Sequence, residues 1–225
     1  MKYDKLLEQK ITENIDKKYK EFYSQIVPKT EVKGVRVPIL RKIAKDFSRY
    51  DDFLENVSLN SYEAINVACY YIGLKSKEIK TLNANLEFIL PHINNWAVCD
   101  TFVSSLKILK TKRDDFYDTL NKCLISRNEF TVRFAIVCIL TYYLGHINTT
   151  ELFDKLILLQ NKSYYIDMAI AWLISVAYIK CKEPTLNLLQ NKRLCAKVQN
   201  LSISKICDSF RVGTEEKMLV KKLKY

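Results

Sequence analysis

Glycine and proline are scarce, at four of each in 225 residues. Typical usage is about 7% and 5%, and folds built from strands and tight turns depend on both. Their shortage argues against a hairpin-built architecture and favours long helices with short joints. No stretch alternates with period two for long enough to make a strand. Long apolar runs are also missing. The longest, residues 134–144 and 168–179, are broken by Thr141 and Ser175, and both fall well short of the ~20 residues needed to cross a bilayer. The opening MKYDKLLEQK has no apolar signal core, so the expected location is the cytoplasm, without a membrane partner. Seven cysteines are present, but none forms a CxxC pair and the number is odd. That pattern serves neither a disulfide framework nor an iron–sulfur cluster nor a metal site. Cys69, Cys99, Cys123 and Cys138 fall inside apolar helical patterns and read as reduced core thiols. No metal and no cofactor is expected.

What the chain does have is apolar residues and positive charge. Apolar residues make up 48%, enough for a sizeable core, and 36 lysines and arginines face 25 acids for a net +11. The excess fits either a polyanionic partner or a merely basic surface. Helical periodicity runs almost throughout. Residues 2–26 read as one helix, with Tyr3, Leu6, Leu7, Ile11, Ile15, Tyr19, Phe22 and Ile26 on one stripe and Pro28 at its end. Pro38 opens the next helix, where a missing N–H costs little. Further starts fall at capping residues: Asp51, Asn60 or Ser61, Asn94 or Asn95, Asn128, Thr149, Ser163 and Thr214. Breaks are expected at Pro91, Gly145, Pro184 and Gly213. Strongly apolar helices starting near Ser61, Asn95, Asn128 and Ser163 alternate with mixed ones, at a spacing of about 35–40 residues per helix pair. The expected fold is all-α: one domain, residues 1–225, made as a HEAT-like helical-repeat solenoid (an α-α superhelix) of about six helix pairs with a concave basic face.

Three unusual residues recur at that spacing. Trp96 stands in NNWAVCD, Arg133 interrupts TVRFAIVCIL, and Trp172 lies in MAIAWLIS, 37 and then 39 residues apart. Equivalent places in successive repeats would bring them to one surface, and Asp100, four residues after Trp96, shares its helix face. Taken singly, each has a plainer explanation: a tryptophan in the core, an arginine snorkelling from a helix interface, a surface acid. Basic residues cluster as well. Residues 29–45 hold Lys29, Lys33, Arg36, Arg41, Lys42 and Lys45 against one acid. Lys107, Lys110, Lys112 and Arg113 form a second group, and Lys180, Lys182, Lys192, Arg193 and Lys197 a third. Lys205 and Arg211 follow on the last apolar helix. A solvated face explains any one of these groups, whereas several at successive joints suit a phosphate track.

From KYKEFYSQIVP (residues 18–28) to SFRV (residues 209–212), the chain resembles the HEAT-repeat DNA alkylation repair proteins, the AlkD-like alkylpurine DNA glycosylase family. GVRVPILRKIAKD (34–46), NNWAVCD (94–100), the TVRFAIV arginine and AIAWLIS (169–175) carry the resemblance. It implies a monofunctional glycosylase, without a cofactor, that hydrolyses the N-glycosidic bond of cationic purines such as 3-methyladenine and 7-methylguanine in base-excision repair. It further implies Asp100 as the catalytic carboxylate, Trp96 and Trp172 as aromatic walls, and Arg133 beside the DNA backbone. The expected partner is double-stranded DNA with alkylated bases, met by a monomer, with Lys29, Lys33, Arg36, Arg41 and Lys205 joining Arg133 as DNA contacts. The alternative is a non-catalytic HEAT-repeat scaffold for damaged or branched DNA, or for a protein partner.

Overall fold

A computed structural model describes residues 1–27 and 30–225. All regular structure among them is helical, and they hold thirteen α-helices and no strand. They fall into two compact units, Met1–Thr119 and Leu120–Tyr225.

The first unit contains α1 (Asp4–Thr12), α2 (Lys17–Ile26), α3 (Val37–Phe47), α4 (Tyr62–Lys75), α5 (Ile79–Ile89) and α6 (Trp96–Ser105), and ends within α7 (Arg113–Leu124). The single helix expected over residues 2–26 is two helices. The apolar stripe crosses the gap, but Asp16 stops the backbone there: its carboxylate accepts from Tyr19 N at 3.0 Å and caps α2. Asn14 Nδ2 donates back to Lys10 O at 2.8 Å, covering the end of α1. α2 ends at Ile26, and Pro28, expected to end it, lies outside the described residues. Pro38 does sit in the first turn of α3. Asp51, expected as a cap, instead pairs with Lys75, and only a short 3₁₀ turn follows at Leu54–Asn56.

α4 is buried all round from Tyr62 to Ile72, as a helix packed on several sides must be. α3 packs on one flank, α6 on another, and α5 folds back against it. Gly73 allows the close approach of α4 and α6, because a Cβ there would lie 2.5 Å from Ser105 Oγ and 2.9 Å from Ser105 O.

The second unit contains α8 (Glu129–Cys138), α9 (Thr149–Ile157), α10 (Tyr164–Lys180), α11 (Lys182–Gln190), α12 (Ala196–Asp208) and α13 (Thr214–Lys221). α8 runs on into a π-helical turn, Ile139–Tyr143, and the chain then breaks at Gly145, where φ is +90°. α8, α10 and α12 stack in that order, α11 packs on α9 and α10, and α13 packs on α12. Pro184, expected as a break, lies inside the first turn of α11, where a missing N–H is tolerated.

In both units the strongly apolar helices form the stacked layer, and contacts between neighbours repeat at the spacing read from the sequence. Thr101 reaches Asn66, 35 residues back; Lys112 reaches Glu78, 34 back; Lys155 reaches Asn121, 34 back; and Arg193 reaches Asp154, 39 back. Cys69, Cys99, Cys123 and Cys138 are free and buried, as expected. Burial pushes the Cys123 thiol up to about 11 and the Cys69 thiol well above its ordinary range, so both stay protonated and inert. No helix among the described residues is long and apolar enough to cross a membrane.

Candidate functional site

In the first unit the candidate residues stand on α6. Asn95 caps it, its Oδ1 accepting from Val98 N at 3.0 Å. Ala97, Val98, Cys99, Phe102 and Val103 face inward. The 3.6-residue period therefore leaves Trp96, Asp100 and Ser104 half-buried along one stripe. Next to Asp100, Thr101 Oγ1 bonds Ala97 O at 2.8 Å and touches Asn66 Oδ1 of α4 at 3.4 Å. An indole and a carboxylate one helical turn apart are thus fixed on a well-packed helix.

In the second unit Arg133 is 6% exposed on α8, and its Nη1 donates to Tyr165 O, in the first turn of α10, at 3.0 Å. The guanidinium thereby ties two stacked helices together. Trp172 is half-buried on α10, in a stripe with Tyr165, Met168 and Val176. Ser175 turns inward and donates to Trp172 O at 2.7 Å. The Tyr165 ring packs on Phe130 at 5.0 Å, and the exposed Tyr164 ring meets Tyr165 edge-on at 5.3 Å.

The expected phosphate contacts fare differently from one another. Lys33 Nζ lies 2.6 Å from both carboxylate oxygens of Glu8. Arg36 holds Asp16 through Nε and Nη2 at 2.9 and 2.8 Å while lying over the Tyr19 ring. Arg41 is exposed and sits over the Tyr70 ring. Lys205 is half-buried on α12, and Lys29 lies outside the described residues. Lys112, Lys182, Arg193 and Lys197 each contact a carboxylate as well. Asp167, the partner of Lys197, is fully buried and also accepts from Asn161 N at 2.9 Å. Part of the positive charge counted from the sequence is therefore matched within the fold.

An aromatic group around α2 and α4 was not among the candidate site residues. Tyr19 and Tyr23 stack at 5.1 Å, Tyr23 packs on Tyr62 at 5.7 Å, and the two hydroxyls of that second pair are 3.0 Å apart. Burial pushes the Tyr19 phenol up to about 12, so it stays a neutral donor. The sequence signals for such a group were the fourteen tyrosines, Tyr19 on the apolar stripe, and the KYKEFYSQIVP segment that holds Tyr19 and Tyr23. Among the described residues no cluster of three or more histidine, cysteine or acidic side chains could hold a metal ion.

A family model described as DNA alkylation repair enzyme matches residues 4–194. The chain belongs to the DNA alkylation repair enzyme family. Its role is in DNA alkylation repair, as an enzyme whose partner is DNA. The match covers α6, α8 and α10, and so all four of the residues Trp96, Asp100, Arg133 and Trp172. No curated protein matches the chain.

Proposed function

We propose that the chain is a monofunctional DNA glycosylase that removes cationic alkylated purines, such as 3-methyladenine and 7-methylguanine, from duplex DNA. The observation that carries this reading is the half-buried Trp96–Asp100 stripe on a capped, rigid helix of a DNA alkylation repair enzyme. An alkylated purine is already cationic, so it leaves without prior protonation. As the N-glycosidic bond breaks, its electron pair goes to the purine, which departs neutral, and positive charge develops on the deoxyribose. A fixed carboxylate stabilises that charge and orients a water. The water oxygen bonds to C1′ and its proton passes to Asp100 or to solvent.

In this reading Trp96 and Trp172 offer indole faces to the electron-poor sugar and base, a contribution of about 0.5–2 kcal/mol each. Arg133 sits beside the DNA backbone and, through Tyr165 O, also holds the start of the helix that carries Trp172. The chain acts as a single HEAT-like repeat domain and as a monomer. The deciding measurement is release of 7-methylguanine from methylated duplex DNA by the wild type and by Asp100→Asn. Wild-type release that the substitution abolishes supports the glycosylase. Tight binding by the wild type without release moves the assignment to a scaffold for damaged or branched DNA.

A further inference from the structure

The cations of residues 29–45 are unequal in what they have left to offer a phosphate. Lys33 and Arg36 each hold a carboxylate of their own unit. Arg41 has no carboxylate within ion-pair distance among the described residues. It lies on the exposed face of α3 with Lys42 and Lys45, while Leu40, Ile43, Ala44 and Phe47 anchor the helix.

What Arg41 does have is a ring. Its guanidinium carbon lies 5.3 Å from the centroid of Tyr70. Tyr70 belongs to the part of α4 that is buried all round and is itself 2% exposed, so the ring cannot turn away. A cation over an aromatic face uses the face of the guanidinium. Its five N–H donors point outward in the plane, and that edge is the one that fits a phosphate in bidentate fashion. An exposed arginine otherwise loses rotamer freedom on binding, and a ring that already holds it reduces that loss.

The Tyr70 hydroxyl adds a second observation. It is buried and makes no hydrogen bond of ordinary geometry, but Arg41 and Thr101 lie close enough to favour its ionised form. The contact with defined geometry between Tyr70 and the exposed cation is the ring under the guanidinium. Thr101 belongs to α6, the helix that also carries the candidate stripe.

We propose that Tyr70 is a positioning residue that holds the Arg41 guanidinium edge-outward for a phosphate of duplex DNA. The proposal rests on DNA as the partner and does not depend on glycosylase chemistry. Its test therefore uses an unmodified duplex, on which the Asp100 assignment has no bearing.

The experiment measures affinity of the full chain for a labelled duplex across a salt series, with the fold of each variant checked by circular dichroism. Arg41→Ala is expected to weaken binding about tenfold and to lower the salt slope by about 1. Tyr70→Leu should weaken binding about threefold in the wild-type background and not at all on top of Arg41→Ala. Tyr70→Phe should recover what Tyr70→Leu loses. Arg41→Lys keeps the charge but not the planar edge, so it should keep the salt slope while losing affinity. Additive effects of Arg41→Ala and Tyr70→Leu would overturn the proposal. Should Tyr70→Leu fail to fold, Arg41→Lys still decides: affinity equal to the wild type would mean that the presented edge plays no part.

Discussion

Removing the cap of α6 should loosen both Trp96 and Asp100 without touching either. The perturbation is Asn95→Ala. Asn95 is 4% exposed and its Oδ1 is the acceptor for Val98 N at 3.0 Å. Loss of an N-cap costs about 0.5–2 kcal/mol, and the position in that range depends on whether water can replace the lost acceptor. At Asn95 it cannot, because the site is closed, so the expected cost is about 2 kcal/mol. The first turn of α6 would then open about thirtyfold more often, at 1.4 kcal/mol per decade. In a chain of this length the same energy lowers Tm by roughly 4–8 °C. Asn128 provides an internal comparison. It caps α8 through Phe130 N and Thr131 N at 2.9 and 3.0 Å but is exposed, so Asn128→Ala should cost only about 0.5–1 kcal/mol. The assay is urea unfolding of both alanine variants and of Asn95→Asp, which keeps the acceptor, alongside single-turnover release of 7-methylguanine. Stability should fall in the order Asn95→Asp, Asn128→Ala, Asn95→Ala, and excision should fall most in the last. An Asn95→Ala protein as stable as Asn128→Ala would refute the argument from burial.

Other outcomes are expected on the same footing. Asp100→Asn should lower the excision rate about 10²–10³-fold with duplex affinity kept, whereas Trp96→Ala and Trp172→Ala should each cost less; an active Asp100→Asn enzyme would show that another group carries the charge. Arg133→Ala should reduce both duplex affinity and unfolding stability, because it removes the donor to Tyr165 O in the first turn of α10; unchanged urea unfolding would dismiss the helix-tying role. Gly34→Ala should destabilise the first unit, since φ there is +102° and a Cβ would come within 2.6 Å of Lys20 Cβ and 2.8 Å of Asp16 O; a Tm equal to the wild type would count against it. Asp16 is held below its ordinary 3.8 by the backbone N–H of Tyr19 and then by Arg36. Its stabilising effect is thus complete above that value and is lost as pH falls through the lower folded one. Asp16→Asn should flatten the stability loss in that acid window, and an unaltered acid-unfolding curve would contradict the assignment.

Family membership and helical class were legible from short stretches of chain. Few glycines and prolines, a 3.6-residue apolar period and the NNWAVCD, TVRFAIV and AIAWLIS segments sufficed, because each is a local property. The caps at Ser61, Asn95, Asn128 and Ser163 were legible for the same reason: a cap joins residues two or three apart. The break at residues 13–16 was hidden by an apolar stripe that continues across it, and Pro184 was misread because a proline in the first turn of a helix looks the same in sequence as one that ends it. Charge was the least legible property. The sequence supplies 36 cations, but whether one meets a carboxylate or remains for DNA is settled by a neighbour far along the chain. Lys112 meets Glu78 and Arg193 meets Asp154, each about one repeat away, Arg133 finds a main-chain carbonyl on the next stacked helix, and Arg41 lies over a tyrosine ring. Helical period and capping act within one or two turns and are written in sequence order. The pairing of charges depends on which helix faces stack, and only the packed structure decides that.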